Sequence, residues 1–174
     1  MKKIIVIGTT GSGKSLVAKE LAQKLSVPYI QMDHLFWEPN WRQSSDEDFM
    51  KRVTESVQQT NWVLDGNYGK THHLTWSHAD TIIWIDFPFW LTFYQNLKRG
   101  ISRAITQEEL WPGTGNRESI GRLFSKESIL VWLFKTYQSN RIRYQERMND
   151  LNYSHLKFIR LRSRQEVRRF LMDL

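Results

Sequence analysis

Gly8, Gly11, Gly13, Lys14 and Ser15 stand in the run G-T-T-G-S-G-K-S, directly after Ile4-Ile5-Val6-Ile7 and directly before the amphipathic segment Leu16 to Leu25. Glycines at this spacing let the backbone curl so that successive amide N–H groups point inward, and a helix starting at the curl adds the positive end of its dipole. Such a concavity fits phosphate oxygens. The Lys14 ammonium would reach the β- and γ-phosphates of a nucleoside triphosphate, and the Ser15 hydroxyl would ligate Mg²⁺. The residues expected to line the nucleotide are Gly8, Thr9, Thr10, Gly11, Ser12, Gly13, Lys14, Ser15 and Leu16. Glycines that merely tighten a turn would not need a β-branched run before them and a helix after them, so a strand–loop–helix phosphate site is the reading taken.

Three acids fall where apolar runs stop. Asp33 follows Tyr29-Ile30-Gln31-Met32, Asp65 follows Trp62-Val63-Leu64, and Asp86 follows Thr81 to Ile85. At the carboxyl ends of parallel strands a carboxylate can orient Mg²⁺ through water or accept a hydroxyl proton. An aspartate there can equally cap a helix or close a turn, and Asp86, followed by Phe87-Pro88, fits that role. Asp33 and Asp65 are expected on the strands nearest the first, and so at the site.

The elements that must position these groups alternate along the chain. After the first strand and its helix, Ser26-Val27-Pro28 breaks the pattern. A short strand at Tyr29 to Met32 leads into a loop, 34–43, with Pro39 and two tryptophans. Ser44 with Glu47 forms a capping-box signature for a helix to about Gln59. Strands follow at 62–64 and 81–85, then a helix to about Ile105. Residues 106–125, with Pro112, Gly113, Gly115 and Gly121, read as a lid-like excursion. A long helix from about Lys126 to Met148, a fifth strand at 156–161 and a helix opened by Ser163 with Glu166 complete the order. The pattern predicts one α/β domain over 1–174, a five-stranded parallel sheet with helices on both faces.

Composition narrows the chemistry. The 174 residues contain no cysteine, which excludes disulfides, thiolate zinc and cysteine nucleophiles. No window is long and apolar enough to span a membrane, and a cytoplasmic location is expected. Residues 1–97 carry 9 basic against 10 acidic side chains, and residues 98–174 carry 16 against 8. A basic half of this kind can hold nucleic acid, clamp small phosphates or simply be solvated. Among eight tryptophans, Trp37, Trp41 and Trp111 lie in the loop and the excursion, where they can stack on a ligand or pack the loop down. Trp62, Trp76, Trp84, Trp90 and Trp132 are expected in or near the core. The histidines show no metal-ligand spacing.

The phosphate loop at the amino end, Trp62-Val63-Leu64-Asp65-Gly66-Asn67-Tyr68, Ala79 to Asp86, and Arg99 with Arg103 one helical turn later resemble the adenylate kinase and shikimate kinase group. Leu35-Phe36-Trp37, Pro39, Trp41, Glu109-Leu110-Trp111 and Asn116-Arg117-Glu118 also resemble bacterial proteins labelled topology modulation proteins. The resemblance implies a P-loop kinase fold with ATP as donor. It also implies an acceptor held between the loop after the second strand, Gly66-Asn67-Tyr68 and the lid. Asn67-Tyr68 stands where monophosphate kinases carry Phe-Pro-Arg, so the arginine that grips an acceptor phosphate is missing there, and Arg42 is the nearby replacement candidate.

These readings assign Lys14, Asp33, Asp65, Arg99, Arg103 and Arg117 to catalysis, with Arg117 in the lid as first choice for the moving phosphoryl group. Asp33, Trp37, Arg42, Gly66, Asn67 and Tyr68 are assigned to the acceptor, and Ser15 to Mg²⁺. Arg122 is a further lid candidate, and Arg141 and Arg143 could project back toward the lid. Arg160, Arg162, Arg164, Arg168 and Arg169 are expected mostly in solvent, and the resemblance to kinases implies that the Arg162 region lies near the adenine. The expected activity is ATP-dependent phosphoryl transfer to a nucleotide, nucleoside or hydroxy metabolite. The alternatives are a nucleic-acid-associated ATPase and a nucleotide-binding regulator, and the oligomeric state is open.

Overall fold

In a computed structural model, which describes residues 1–123, 125 and 128–174, five parallel strands form one sheet in the order β2-β3-β1-β4-β5. The elements are β1 (Lys3–Gly8), α1 (Lys14–Leu25), β2 (Tyr29–Gln31), α2 (Met32–Phe36), α3 (Asp46–Val57), β3 (Trp62–Asp65) and α4 (His72–His78). They continue with β4 (Thr81–Ile85), α5 (Phe89–Thr106), α6 (Ile120–Leu123), α7 (Ile129–Met148), β5 (Lys157–Leu161) and α8 (Arg164–Met172). This is the α/β arrangement that the alternating pattern predicts.

Strands covered on both faces read as continuous apolar runs, and each sheet face here has its own core. On one face Ile5, Ile7, Leu64, Ile82 and Trp84 pack under α3, α4 and α7 through Phe49, Val53, Trp76 and Tyr144. On the other, Ile4, Val6, Val63, Ile83 and Ile85 pack under α1 and α8 through Val17, Leu21, Val167 and Leu171. The three fully buried tryptophans keep their polar atoms or faces engaged. Trp62 donates its indole N–H to the Val57 carbonyl at 3.2 Å, and the guanidinium groups of Arg147 and Arg160 lie 5.0 and 4.2 Å from the ring centres of Trp76 and Trp84.

Several local expectations shift. The cap of α3 is Ser45, whose hydroxyl accepts from the Asp48 N–H at 3.0 Å, one residue later than Ser44 and Glu47 suggest. The loop after β2 opens as the short helix α2, and α4 is an additional helix. Leu16 is exposed, because the first turn of α1 emerges from the phosphate loop before the helix reaches the sheet. Trp90 and Trp132 are exposed rather than core. The long helix begins at Ile129, capped by Ser128; Lys126 and Glu127, where the sequence places its start, lie outside the described residues, as does the Arg122 side chain. Among the described residues no helix is long and apolar enough to cross a membrane.

Candidate active site

The sheet's register brings the acids to the phosphate loop. Val6 is level with Asp65, and Gly8 with Ile85, so the carboxyl ends of β3, β1 and β4 form one rim. Asp65 lies on the strand adjacent to β1. Asp33 follows β2, one strand further out at the sheet edge, so only Asp65 is an immediate neighbour of the loop.

Residues 8–13 curl over the start of α1, with Gly11 at φ +78°. A Cβ on Gly11 would stand 2.6 Å from Asn96 Cβ and 2.7 Å from the Thr92 carbonyl oxygen. Glycine is required because α5 crosses directly against the loop. The buried face of α5, Thr92, Asn96, Gly100 and Ala104, is small for the same reason. Gly66 is a second such place: at φ +141°, its Cβ would meet Met32 Cβ at 2.6 Å. Two buried polar atoms beside the loop, Ser12 Oγ and Asn67 Oδ1, have no hydrogen-bond partner among the described residues, while Asn67 Nδ2 donates to the Gly8 carbonyl. Buried polar atoms left in this condition mark a cradle built for a polar ligand.

Asp65 is almost fully buried, and its carboxylate faces Lys14, the Ser15 hydroxyl and the Tyr29 phenol, which donates to it at 3.1 Å. Burial raises the Asp65 pKa above the ordinary carboxylate range, with Lys14 and the Ser15 hydrogen bond opposing the rise. A loop serine paired to a strand-end aspartate is a hard-oxygen donor set, which suits Mg²⁺ held together with a nucleotide. Asp33 accepts a 2.6 Å hydrogen bond from the Tyr68 phenol. Burial, and then the Asp33 charge, push that phenol well above its usual pKa, so Tyr68 stays a donor.

Arg99 joins the two acids. Burial, and next the charge of Arg103, lower its pKa to about 10, while Asp33, Glu118 and Asp65 act in the opposite direction. Its guanidinium donates to Asn96 Oδ1 at 3.0 Å. Lys14, Ser15, Asp33, Asp65, Asn67, Tyr68 and Arg99 therefore share one crevice, with Arg103 beside it. Next to the loop, a cavity of about 420 Å³ is lined by Tyr94, Gln95, Lys98, Arg99, Ser102 and Arg164. With its amide oriented to satisfy both ends, Gln95 donates to the Gly11 carbonyl and accepts from Arg164, each at 3.1 Å. Arg164, rather than Arg162, reaches this cavity.

The excursion after α5 is a small hairpin. The backbones of Glu109 and Arg117 form an antiparallel β-bridge, and the Leu110 N–H donates to the Asn116 carbonyl at 2.9 Å. It is docked on the loop after α2. Asn116 accepts from the Trp41 N–H at 2.8 Å and donates to the Glu38 carbonyl at 2.9 Å. Trp37 stacks on Trp111 at 6.2 Å, and Trp41 meets both edge-on. Trp37 thus packs against its neighbours in the lid. Arg42, exposed, pairs with Glu38, which also binds Arg52. The Arg117 guanidinium binds the Gln107 carbonyl at the base of the hairpin.

The C-terminal arginines divide. Asp86 is buried and receives both Arg141 at 2.7 Å and Arg160 at 2.5 Å. Arg141 therefore does not project toward the lid, and Arg160 is not solvated, because one buried carboxylate fixes both. Arg143, Arg162, Arg168 and Arg169 are exposed. Tyr29, Gln95 and Asn96 escaped the sequence reading, and Asn116 entered it only as part of a lid motif: single polar residues on otherwise apolar or irregular segments carry no periodic signal.

Comparison with known proteins agrees with this geometry. The shikimate kinase family profile matches residues 10–60, from within the phosphate loop through α3. The structure of shikimate kinase from Acinetobacter baumannii in complex with shikimate is 18% identical, with a TM-score of 0.56 over 99% of this chain and 90% of that one. A gluconokinase from Sinorhizobium meliloti 1021 is 14% identical, with a TM-score of 0.53 over 99% and 88%. Shikimate kinase from Bacteroides thetaiotaomicron is 12% identical, with a TM-score of 0.50 over 98% and 94%. No curated protein sequence matches. The chain thus has the fold of these solved kinases, and its residues 10–60 are similar to the shikimate kinase family.

Proposed function

We propose that the chain is an ATP-dependent kinase that transfers the γ-phosphoryl group to a hydroxyl of a small metabolite, acting as one domain over 1–174 with the lid at 106–125. The observation that carries this reading is the shared crevice: Lys14 and the Ser15–Asp65 pair on the phosphate side, and the Asp33–Tyr68 pair on the other, with Arg99 between them. Residues 8–16 and Lys14 would cradle the phosphates, and the cavity between α5 and Arg164 would take the nucleoside. Ser15 and Asp65 would hold Mg²⁺, which neutralises phosphate charge when bound with the nucleotide.

Asp33 accepts the proton of the attacking hydroxyl as its oxygen bonds to the γ-phosphorus and the bond to the β-bridging oxygen breaks. Tyr68 holds that carboxylate in place. Arg99 and Arg103 offset the charge on the transferring group, and Arg117 would join them if nucleotide draws it away from Gln107. On the acceptor side the exposed arginine of the loop is already paired with Glu38, and the polar groups at hand are Asp33, the Gly66 backbone, Asn67 and Tyr68. This favours an acceptor recognised through hydroxyl groups and enclosed by the lid that Trp37 packs against. A cytoplasmic setting, rich in ATP and Mg²⁺, goes with this reading.

The test is ADP release in a screen of nucleosides, nucleotides and small hydroxy metabolites with ATP and Mg²⁺. One acceptor class is expected to raise turnover, and Asp33→Asn is expected to abolish the rise. If no acceptor does so while duplex DNA binds with a steep salt dependence, the nucleic-acid-associated ATPase replaces the kinase. If ATP binds and neither follows, a nucleotide-binding regulator replaces both.

A further inference from the structure

The α5 helix carries its two site arginines on one side and an unexplained apolar stripe on another. Trp90, Phe93, Leu97, Ile101 and Ile105 recur at spacings of 3, 4, 4 and 4 residues, which puts them on one face of a helix. Trp90 is 72% exposed, Ile105 70% and Ile101 42%, while Phe93 and Leu97 between them are half-buried. At the Trp90 end the stripe widens into a surface aromatic cluster. Phe89 and Phe93 contact Phe134 of α7 at 5.1 and 5.7 Å between ring centres, and Phe134 is itself 58% exposed. None of the five stripe side chains lines the nucleotide cavity or the acceptor crevice.

From the geometry we infer that this stripe is the interface of a two-fold symmetric dimer, covered by the same stripe of a second copy of the chain. The stripe is self-complementary when two α5 helices cross antiparallel. With the axis at Leu97, Phe93 of one copy comes level with Ile101 of the other, Trp90 falls within one residue of Ile105, and Leu97 packs on its own counterpart. Bulky rings at one end meet branched aliphatic side chains at the other, so the difference in size between the two ends favours this register. Exposed Tyr94, at the edge of the nucleotide cavity, flanks the stripe.

Area supports this occupant. With aromatic side chains of roughly 200 Å² each, the exposed apolar surface of Trp90, Tyr94, Ile101, Ile105 and Phe134 comes to roughly 600 Å² per copy. A stable interface takes about 800 Å² from each partner, so these side chains form most of one half and polar neighbours complete the rim. Charge supports it too. A chain of net charge +7 approaches a copy of itself most readily through an uncharged face, and every position of the stripe is apolar. Lys98 points roughly a quarter turn away from the stripe's centre. An anionic lipid surface would call for basic side chains around the stripe, and an acidic partner for basic ones within it.

Sedimentation equilibrium of the full chain at micromolar concentration is expected to show a dimer. Trp90→Glu, which buries two symmetry-related charges, is expected to weaken it at least 100-fold while far-UV circular dichroism stays unchanged. Trp132→Glu is the control. Trp132 is as exposed as Phe134 but two residues away on α7, hence on nearly the opposite side, and its replacement should leave the dimer intact. Because the chain has no cysteine, Leu97→Cys gives an independent readout: it places one thiol of each copy at the axis, and a short bis-maleimide should link the two. A monomeric wild type overturns the inference, with or without binding to anionic vesicles. So does a dimer that survives Trp90→Glu, or one in which Leu97→Cys fails to cross-link.

Discussion

Replacing Asn116 with alanine should release the hairpin from the loop after α2. The Asn116 side chain is buried and makes two hydrogen bonds to backbone atoms about 75 residues away in sequence, with the Trp41 N–H at 2.8 Å and the Glu38 carbonyl at 2.9 Å. Alanine removes both and leaves an amide and a carbonyl under the hairpin without this partner. Each such loss costs about 1–3 kcal/mol, so the docked state should lose about 3 kcal/mol, or roughly 100-fold in the docking equilibrium. The contacts of Trp37, Trp41 and Trp111 remain and oppose full opening. Hydrogen exchange at the Trp41 amide reads the change directly and should accelerate toward that factor. Arg42→Ala, which removes only an exposed ion pair with Glu38, should change it by less than about 1 kcal/mol. Unchanged protection of Trp41 in Asn116→Ala would refute the latch.

Two glycines of the phosphate loop separate strain from contact. Gly11 and Gly13 both have positive φ, but only Gly11 meets α5; nothing lies within 4 Å of a Cβ on Gly13. Gly13→Ala should cost about 1–2 kcal/mol, and Gly11→Ala about 2 kcal/mol more, read by urea unfolding; equal costs would contradict the close approach of α5. For Asp65 the folded pKa is raised by burial, so the unfolded chain ionises first and the charged carboxylate costs stability as pH rises through the ordinary aspartate range and up to the folded pKa. In chelator, Asp65→Asn should therefore melt higher than wild type at neutral pH, with the difference shrinking at acid pH, even though nucleotide binding with Mg²⁺ is lost. Asp86→Ala strands Arg141 and Arg160 and should destabilise the fold by about 3 kcal/mol in urea, with ATP affinity little changed.

The phosphate-loop side of the candidate site was legible because its pattern is local. Strand, glycine curl, lysine and helix are consecutive, and the strand-end position of Asp65 follows from a run of apolar residues. The side around Asp33 was less so. Asp33, Tyr68 and Arg99 could each be named, but that they meet could not, because they come from distant elements. Asp86 was read as capping a helix or closing a turn, but its pairing is with Arg141 and Arg160 from α7 and β5, and no spacing links it to them. The α5 helix misled for a different reason. Its face toward the phosphate loop is small and polar because backbone must approach backbone, while its large apolar side chains point outward, so Trp90 looks like core when counted by residue type alone. Ser44 against Ser45 is a one-residue ambiguity between two adjacent serines, each followed three residues later by an acid.

Calorimetric titration with ATP, with and without Mg²⁺, on wild type and Lys14→Ala bears most directly on the phosphate cradle from which all the assignments descend. Wild type should bind one ATP per chain, more tightly with Mg²⁺, and Lys14→Ala should bind roughly 100-fold more weakly through loss of charge-assisted hydrogen bonds worth about 3 kcal/mol. Absence of binding heat at any temperature with Mg²⁺ present, or equal affinity in the Lys14→Ala variant, would contradict it.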